Sequence, residues 1–324
     1  MTRIAAATPE TARIAFEIAP KMARKIARKI APKIAPKIAR KIRTGRGLAA
    51  AAAAALALSG CATFGNPPAS NAGATDAVLA TSQTNLTSLG EVITKHPDDP
   101  QAYNMRGTVY GEAGRNDQAL ADFDKAIGLD PKYAQAYANR ALIYRKIKKL
   151  DLALADDNKA LALDANYAPA YLGRGIVYRE QGHASEALED FNKAITLKPD
   201  NADAYYNRGL LYQSRQQHQF AIDDFSTAIG LENDNAEPWT ARALSYLAIG
   251  DVKSASTDLD QAVQLNPQSV RAWTSRGLAY EKLGQKDKAA GSYAKALNID
   301  DKYAPAKAGF ARVGGKIGQT YPTF

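Results

Sequence analysis

Cysteine and histidine are almost absent from these 324 residues: there is one cysteine, Cys61, and three histidines, His96, His183 and His218. One thiol cannot close an intramolecular disulfide, and no Cys/His set with zinc-ligand spacing can be assembled. The histidines are far apart, with neither HExxH nor any other two-histidine ligand spacing. There is no GxSxG elbow and no glycine-rich phosphate loop. Acidic pairs such as Asp98 with Asp99 and Asp223 with Asp224 fall in expected turns or on helix faces, with no sign of the convergent groups that acid–base chemistry requires. The expectation is a non-enzyme without metal or cofactor. Long apolar runs are also missing. The longest, GLAAAAAAALAL at residues 47–58, has twelve residues, short of the ~20 that a helix needs to cross a hydrocarbon core.

The net charge of +9 points to nucleic acid or an anionic membrane only until its distribution is read. Residues 1–60 hold thirteen Lys+Arg and two Asp+Glu, a net of +11, which leaves 29 basic and 31 acidic residues, a net of −2, for the rest. A chain that is slightly acidic after Cys61 is not expected to bind nucleic acid.

The basic stretch, the twelve-residue apolar run and the small residues after it have the three-part order of a secretory signal over residues 1–60. Leu58 to Cys61, LSGC, closes that run and resembles the lipobox of bacterial lipoproteins. In that family the cysteine thiol takes up a diacylglyceryl group and becomes the first residue of the mature chain, so the resemblance implies lipidation at Cys61 and a membrane anchor. The basic region departs from the family in its length. KIARKIAPKIAPKIARKI, residues 25–42, has a period of four, and Pro32 and Pro36 argue against a continuous amphipathic helix. It reads as a low-complexity extension, with Met22 as an alternative start, or as a membrane-surface helix. Residues 61–77, rich in Ala, Gly, Pro, Asn and Ser, read as a flexible tether, about 20 to 25 Å in reach by chain statistics.

From Pro100 the chain repeats every 34 residues, six times without insertion or deletion, over residues 100–303. Position 4 of each repeat is Tyr103, Tyr137, Tyr171, Tyr205, Trp239 or Trp273, and position 11 is tyrosine throughout. Position 8 is Gly or Ala, and positions 20 and 27 are alanine in every repeat. Positions 4, 8 and 11 share one face of a first helix, and 20, 24 and 27 share one face of a second. Glycine at position 15 in four repeats stops the first helix. The pattern resembles the tetratricopeptide repeat, which implies an all-α, right-handed superhelix, an alpha solenoid of paired helices with a concave inner surface. Residues 78–99 are expected to cap the start, with Leu89 and Val92 facing the core, and residues 304–324 to cap the end.

Two ladders run through the array. Position 7 is Arg106, Arg140, Arg174, Arg208, Arg242 and Arg276; position 23 is Asp122, Asp156, Asp190, Asp224 and Asp258, then Ser292. Arginines beside an apolar seam need partners, so Arg–Asp bridges are expected, within or between repeats. Position 9 holds Leu142, Ile176, Leu210, Leu244 and Leu278, and in the resembled family it faces the concave groove. With Tyr206 and a basic edge of Arg145, Lys146 and Arg179, this row suggests a groove for an extended or helical peptide with acidic flanks. Packing within the array or against a second copy in a homodimer would cover the same row. Asp157 replaces the aromatic at position 24 and predicts a slot that reaches solvent.

Together these features point to a lipid-anchored interaction scaffold on the periplasmic face of an outer membrane, with a protein or peptide as partner. Its architecture resembles NlpI-like lipoproteins that scaffold cell-wall hydrolases and lipoprotein pilotins that assemble pili or secretion channels. A cytoplasmic repeat protein with an incidental LSGC is the third reading.

Overall fold

The computed structural model describes residues 72–316 and 319–321; Cys61, the basic stretch and residues 62–71 lie outside them. Helix α1 (Ala72–Lys95) precedes six helical pairs. These are α2 (Pro100–Glu112) with α3 (Asn116–Leu129), α4 (Ala134–Lys146) with α5 (Leu150–Leu163), and α6 (Ala168–Glu180) with α7 (Ala184–Leu197). They continue with α8 (Ala202–Ser214) and α9 (His218–Leu231), α10 (Ala236–Ile249) and α11 (Val252–Leu265), and α12 (Val270–Lys282) and α13 (Lys286–Ile299), before α14 (Ala304–Arg312). Among the described residues there is no strand, and no helix is long and apolar enough to cross a membrane.

Small residues set the distance between paired helices. All twelve alanines at positions 20 and 27 have no exposed surface. Position 24 drives Phe123, Phe191, Phe225 and Tyr293 against the opposite helix, where glycine stands at position 8. A Cβ on Gly107, Gly175, Gly209 or Gly277 would come within 2.6 to 2.8 Å of that ring. The two repeats with alanine at position 8, Ala141 and Ala243, carry the smaller Asp157 and Leu259 at position 24. Each buried ring contributes on the order of 1.5–3 kcal/mol, provided the facing residue leaves it room.

All six first helices end in a left-handed residue at position 15: Gly114, Gly182, Gly250 and Gly284, but also Lys148 at φ 59° and Gln216 at φ 58°. Asp99, Asn201, Asn235 and Ser269 cap the starts of first helices with side-chain oxygens that accept backbone N–H bonds.

Successive first helices touch one another along the array, whereas successive second helices do not. In a curved stack the inner members approach and the outer ones splay, which puts the first helices on the concave side.

The ends depart from the expected boundaries. Helix α1 begins at Ala72, so residues 72–77, read as tether, are helical. Its core-facing residues are Leu86 and Ile93, with Leu89 half-buried; Val92 is 40% exposed. Counting back in steps of 34 placed Val92 inward, but α1 is one long helix that turns a different stripe to α2. At the other end, Gly314 at φ 75° follows the short α14, and Phe310 packs edge-on to Tyr321 at 5.8 Å.

Candidate functional site

The arginine ladder is a two-way clamp. Arg106 binds Asp122 through Nε and Nη2, both at 2.7 Å, and the same paired bonds join Arg140 to Asp156, Arg174 to Asp190, Arg208 to Asp224 and Arg242 to Asp258. These bridges lie within a repeat. The remaining nitrogen, Nη1, reaches back to position 25 of the preceding repeat: Arg140 to Asp124, Arg174 to Asn158, Arg208 to Asn192 and Arg242 to Ser226. Arg276, whose own repeat offers Ser292, turns Nε to Asp260 of the preceding repeat at 2.6 Å and donates to Ser292 at 3.0 Å. The guanidinium also sits between the aromatics at positions 4 and 11, 5.6 and 5.8 Å from the rings of Tyr103 and Tyr110 in the case of Arg106. The five aspartates are buried, so these groups are committed to holding the array together and leave no row of free cations for a ligand.

The concave face is built from first-helix side chains. Leu142, Ile176, Leu210, Leu244 and Leu278 are each half-buried, an apolar row in which Ile176 and Leu210 also pack against the core beneath them. Tyr206 is half-buried beside it, 5.9 Å from the ring of Phe225, and burial pushes its hydroxyl up to about 12. Lys146 is exposed, with Nζ donating to the carbonyl oxygen of Gly111 at 2.9 Å. Arg179 lies partly buried, Nη2 3.4 Å from Asn207 Oδ1, and desolvation holds its guanidinium below its usual pKa.

Arg145 does not form the basic edge expected of it. Its Nη1 turns inward to Asp157 Oδ2 at 3.3 Å, and the side chain is only 14% exposed. Asp157 in turn is fully buried, which corrects the expectation that its slot reaches solvent. Burial pushes the carboxyl up to about 7 against the opposing pull of Arg145, and desolvation lowers the arginine. Space for the pair comes from Gly173 at position 6 of the next repeat, where a Cβ would stand 2.7 and 2.8 Å from the two carboxylate oxygens. Arg145, Asp157 and Gly173 therefore make one structural unit around the position where Asp157 departs from the repeat pattern.

Tetratricopeptide-repeat family models match residues 100–133, 134–167, 202–235 and 240–305, and a TPR-repeat model matches 177–216. Three of these matches begin and end on the 34-residue repeats themselves, and together they take in more than half of the chain. This chain is a tetratricopeptide-repeat protein. No curated protein matches it. Among solved structures it is similar to the Cut9–Hcn1 tetramer of the APC/C at 18% identity and TM-score 0.66, over 72% of this chain and 46% of that one. It is also similar to Pseudomonas aeruginosa PilF, at 22% identity and TM-score 0.60 over 66% and 97% of the two chains. A tetratricopeptide repeat protein from Parabacteroides merdae aligns at 20% identity and TM-score 0.52, over 74% and 98%. At these identities the likeness is one of fold. Proteins of this repeat family are interaction scaffolds that bind protein or peptide partners.

In this tetratricopeptide-repeat protein Leu244 and Leu278 line a pocket of about 370 Å³ at the C-terminal end, between α10, α12 and α14. Arg271, Thr274 and Arg312 stand around it. Sequence reasoning named the two leucines but missed these three. The available signal was spacing: Arg271, Thr274 and Leu278 follow the i, i+3, i+7 rule and share one face of α12.

Proposed function

We propose that this chain is a non-catalytic adaptor, anchored by lipid on Cys61 at the periplasmic face of an outer membrane, that holds a protein or peptide partner in its concave groove. The observation that carries the groove reading is the unbroken row from Leu142 to Leu278, half-buried along the inner face over five repeats. Apolar surface left partly in water along one face is stabilised when an amphipathic segment covers it. The anchor rests on the LSGC motif after the apolar run, and anchoring raises the effective concentration of the groove for partners at the membrane.

Two measurements test the reading. Radioactive palmitate should label the wild-type chain and not Cys61→Ser; an unlabelled wild type would sink the anchor and favour a cytoplasmic repeat protein. Crosslinked pull-downs from cell envelopes should recover a partner that Leu210→Asp loses while the array stays folded by circular dichroism. Recovery of cell-wall hydrolases would make this a hydrolase scaffold; secretin or pilin components would make it a pilotin-like assembly factor. Equal recovery by wild type and Leu210→Asp would remove the groove as the binding surface.

A further inference from the structure

We propose that the pocket at the C-terminal end of the groove recognises a peptide segment in which one large apolar side chain is flanked by a carboxylate, with Arg271 as the residue that selects the acid. This inference rests on the groove reading above and adds the place and the chemistry.

Two of the other basic side chains named for the inner face make contacts within the fold. Arg145 is turned into the buried pair with Asp157, and Lys146 donates to the end of α2; Arg179 is partly buried, with Nη2 3.4 Å from Asn207 Oδ1 and Nε without a hydrogen bond. The C-terminal pocket differs. Its walls contain two arginines and no carboxylate. Arg312 is matched by Glu281, which accepts from its Nε at 2.9 Å and from its Nη2 at 3.0 Å, so most of that charge is answered. Arg271 is 48% exposed, and Glu237 reaches it only at 3.9 Å, beyond hydrogen-bond distance. A guanidinium in an ion pair this long can turn to the bidentate, charge-assisted contact that a carboxylate fits best.

The floor sets the second requirement. Leu244 and Leu278 are half-buried beneath a space of about 370 Å³, at the small end of the range for binding pockets and enough for a leucine, methionine or phenylalanine side chain. Thr274 Oγ1 already donates to the carbonyl oxygen of Val270 at 2.7 Å, so its hydroxyl proton is committed to the helix. The apolar side chain would be seated on the leucines, with an acid within one or two residues of it at Arg271. Residues 61–324 carry a net −2, so general attraction for anions is absent and any acidic preference has to come from this local site.

The test is selection of a phage-displayed random dodecamer library on the full chain, run in parallel on Arg271→Glu and Leu278→Asp, with circular dichroism and melting of each variant. Arg271 is half-exposed on the helix surface, so its replacement should leave the fold intact. On the wild type, enriched sequences should pair a large apolar residue with Asp or Glu within two positions. Arg271→Glu should exchange that acidic preference for Lys or Arg, and should weaken a wild-type-selected, fluorescein-labelled peptide at least tenfold. Leu278→Asp should remove the apolar requirement. No enrichment on wild type, or the same acidic enrichment on Arg271→Glu, would overturn the proposal. A partner recovered from envelopes equally by wild type and Arg271→Glu would overturn this site while leaving the adaptor reading standing; recovery of no partner by wild type would remove the adaptor reading itself.

Discussion

Arg145 Nη1 lies 3.3 Å from Asp157 Oδ2 in a slot that other repeats fill with Phe, Tyr or Leu, and the carboxylate has no exposed surface. An ion pair in such a place gives back in Coulomb energy little more than the desolvation it costs. The fifth repeat shows what the same slot looks like without charge: Leu247 at position 12, Leu259 at position 24 and Ala243 at position 8. The double variant Arg145→Leu/Asp157→Leu, which copies that arrangement onto Ala141, should therefore be stabilised by about 1–4 kcal/mol. Asp157→Leu alone should be destabilised by about 3–5 kcal/mol, because it strands Arg145. Urea titrations of the three chains above about pH 8, where the Asp157 carboxyl is ionised, decide it, and a double variant less stable than wild type would show that the pair is worth more than its desolvation.

The same carboxyl predicts a pH dependence. Burial raises it to about 7 in the folded chain, against about 4 for an exposed aspartate, so the folded state holds this proton more tightly than the unfolded state. Its contribution to stability is fully present below about pH 4 and is lost as pH rises through about 7. Groups facing it, Arg145, Asp156, Arg174 and Asp190, stay in place when Asp157 becomes asparagine. The stability of wild type minus that of Asp157→Asn should fall between pH 4 and 7 and level off above. A difference that is flat with pH would show that the carboxyl titrates normally.

Gly209 and Phe225 test the matching of positions 8 and 24. An added Cβ at Gly209 would stand 2.6 Å from Phe225 Cε1, so Gly209→Ala should cost about 1–3 kcal/mol through overpacking. Adding Phe225→Leu should relieve much of that cost, since alanine and leucine already coexist at Ala243 and Leu259. A double-mutant cycle measures the coupling; strict additivity would mean that the two positions do not constrain each other.

Gln216 holds a left-handed conformation at φ 58° where four other repeats use glycine. Gln216→Gly should stabilise the array by about 0.5–1 kcal/mol, net of the extra freedom that glycine has when unfolded. Thermal melting would register this as a small rise, and a fall would mean that the glutamine side chain does more than tolerate the turn.

The phase of the helices was legible because 34 residues recur without a gap, and Tyr, Gly and Ala mark the faces in every copy. The left-handed turn was legible at Gly114 and Gly182 but not at Lys148 and Gln216, where the backbone bonds that close the helix, Lys149 N–H to Tyr144 O and Gln217 N–H to Tyr212 O, hold a conformation that the residue type disfavours. For the arginine ladder the sequence offered bridges within or between repeats, and the guanidinium does both, since its fork leaves one nitrogen over. Inward rotation of Arg145 was hidden because an arginine read alone belongs at a surface. Only the coincidence of Asp157 and Gly173 marked it. The C-terminal pocket was hidden for another reason: it depends on how three helices from successive repeats curve around a shared space, which no single repeat encodes.

The backward reach of each arginine distinguishes inner repeats from the ends of the array. Every clamp from Arg140 to Arg276 has an acceptor sixteen residues earlier in the chain. Counted the same way, Arg106 meets Gly90, and the place of the next arginine is taken by Phe310, whose upstream counterpart is Ala294. Both terminal sockets are blank, and the last is apolar, with Ala294 and Phe310 packed in one cluster. A seventh repeat grafted after Ile299 would bring a guanidinium that, like Arg106, could bridge only within its own repeat unless Ala294 were rewritten with the graft.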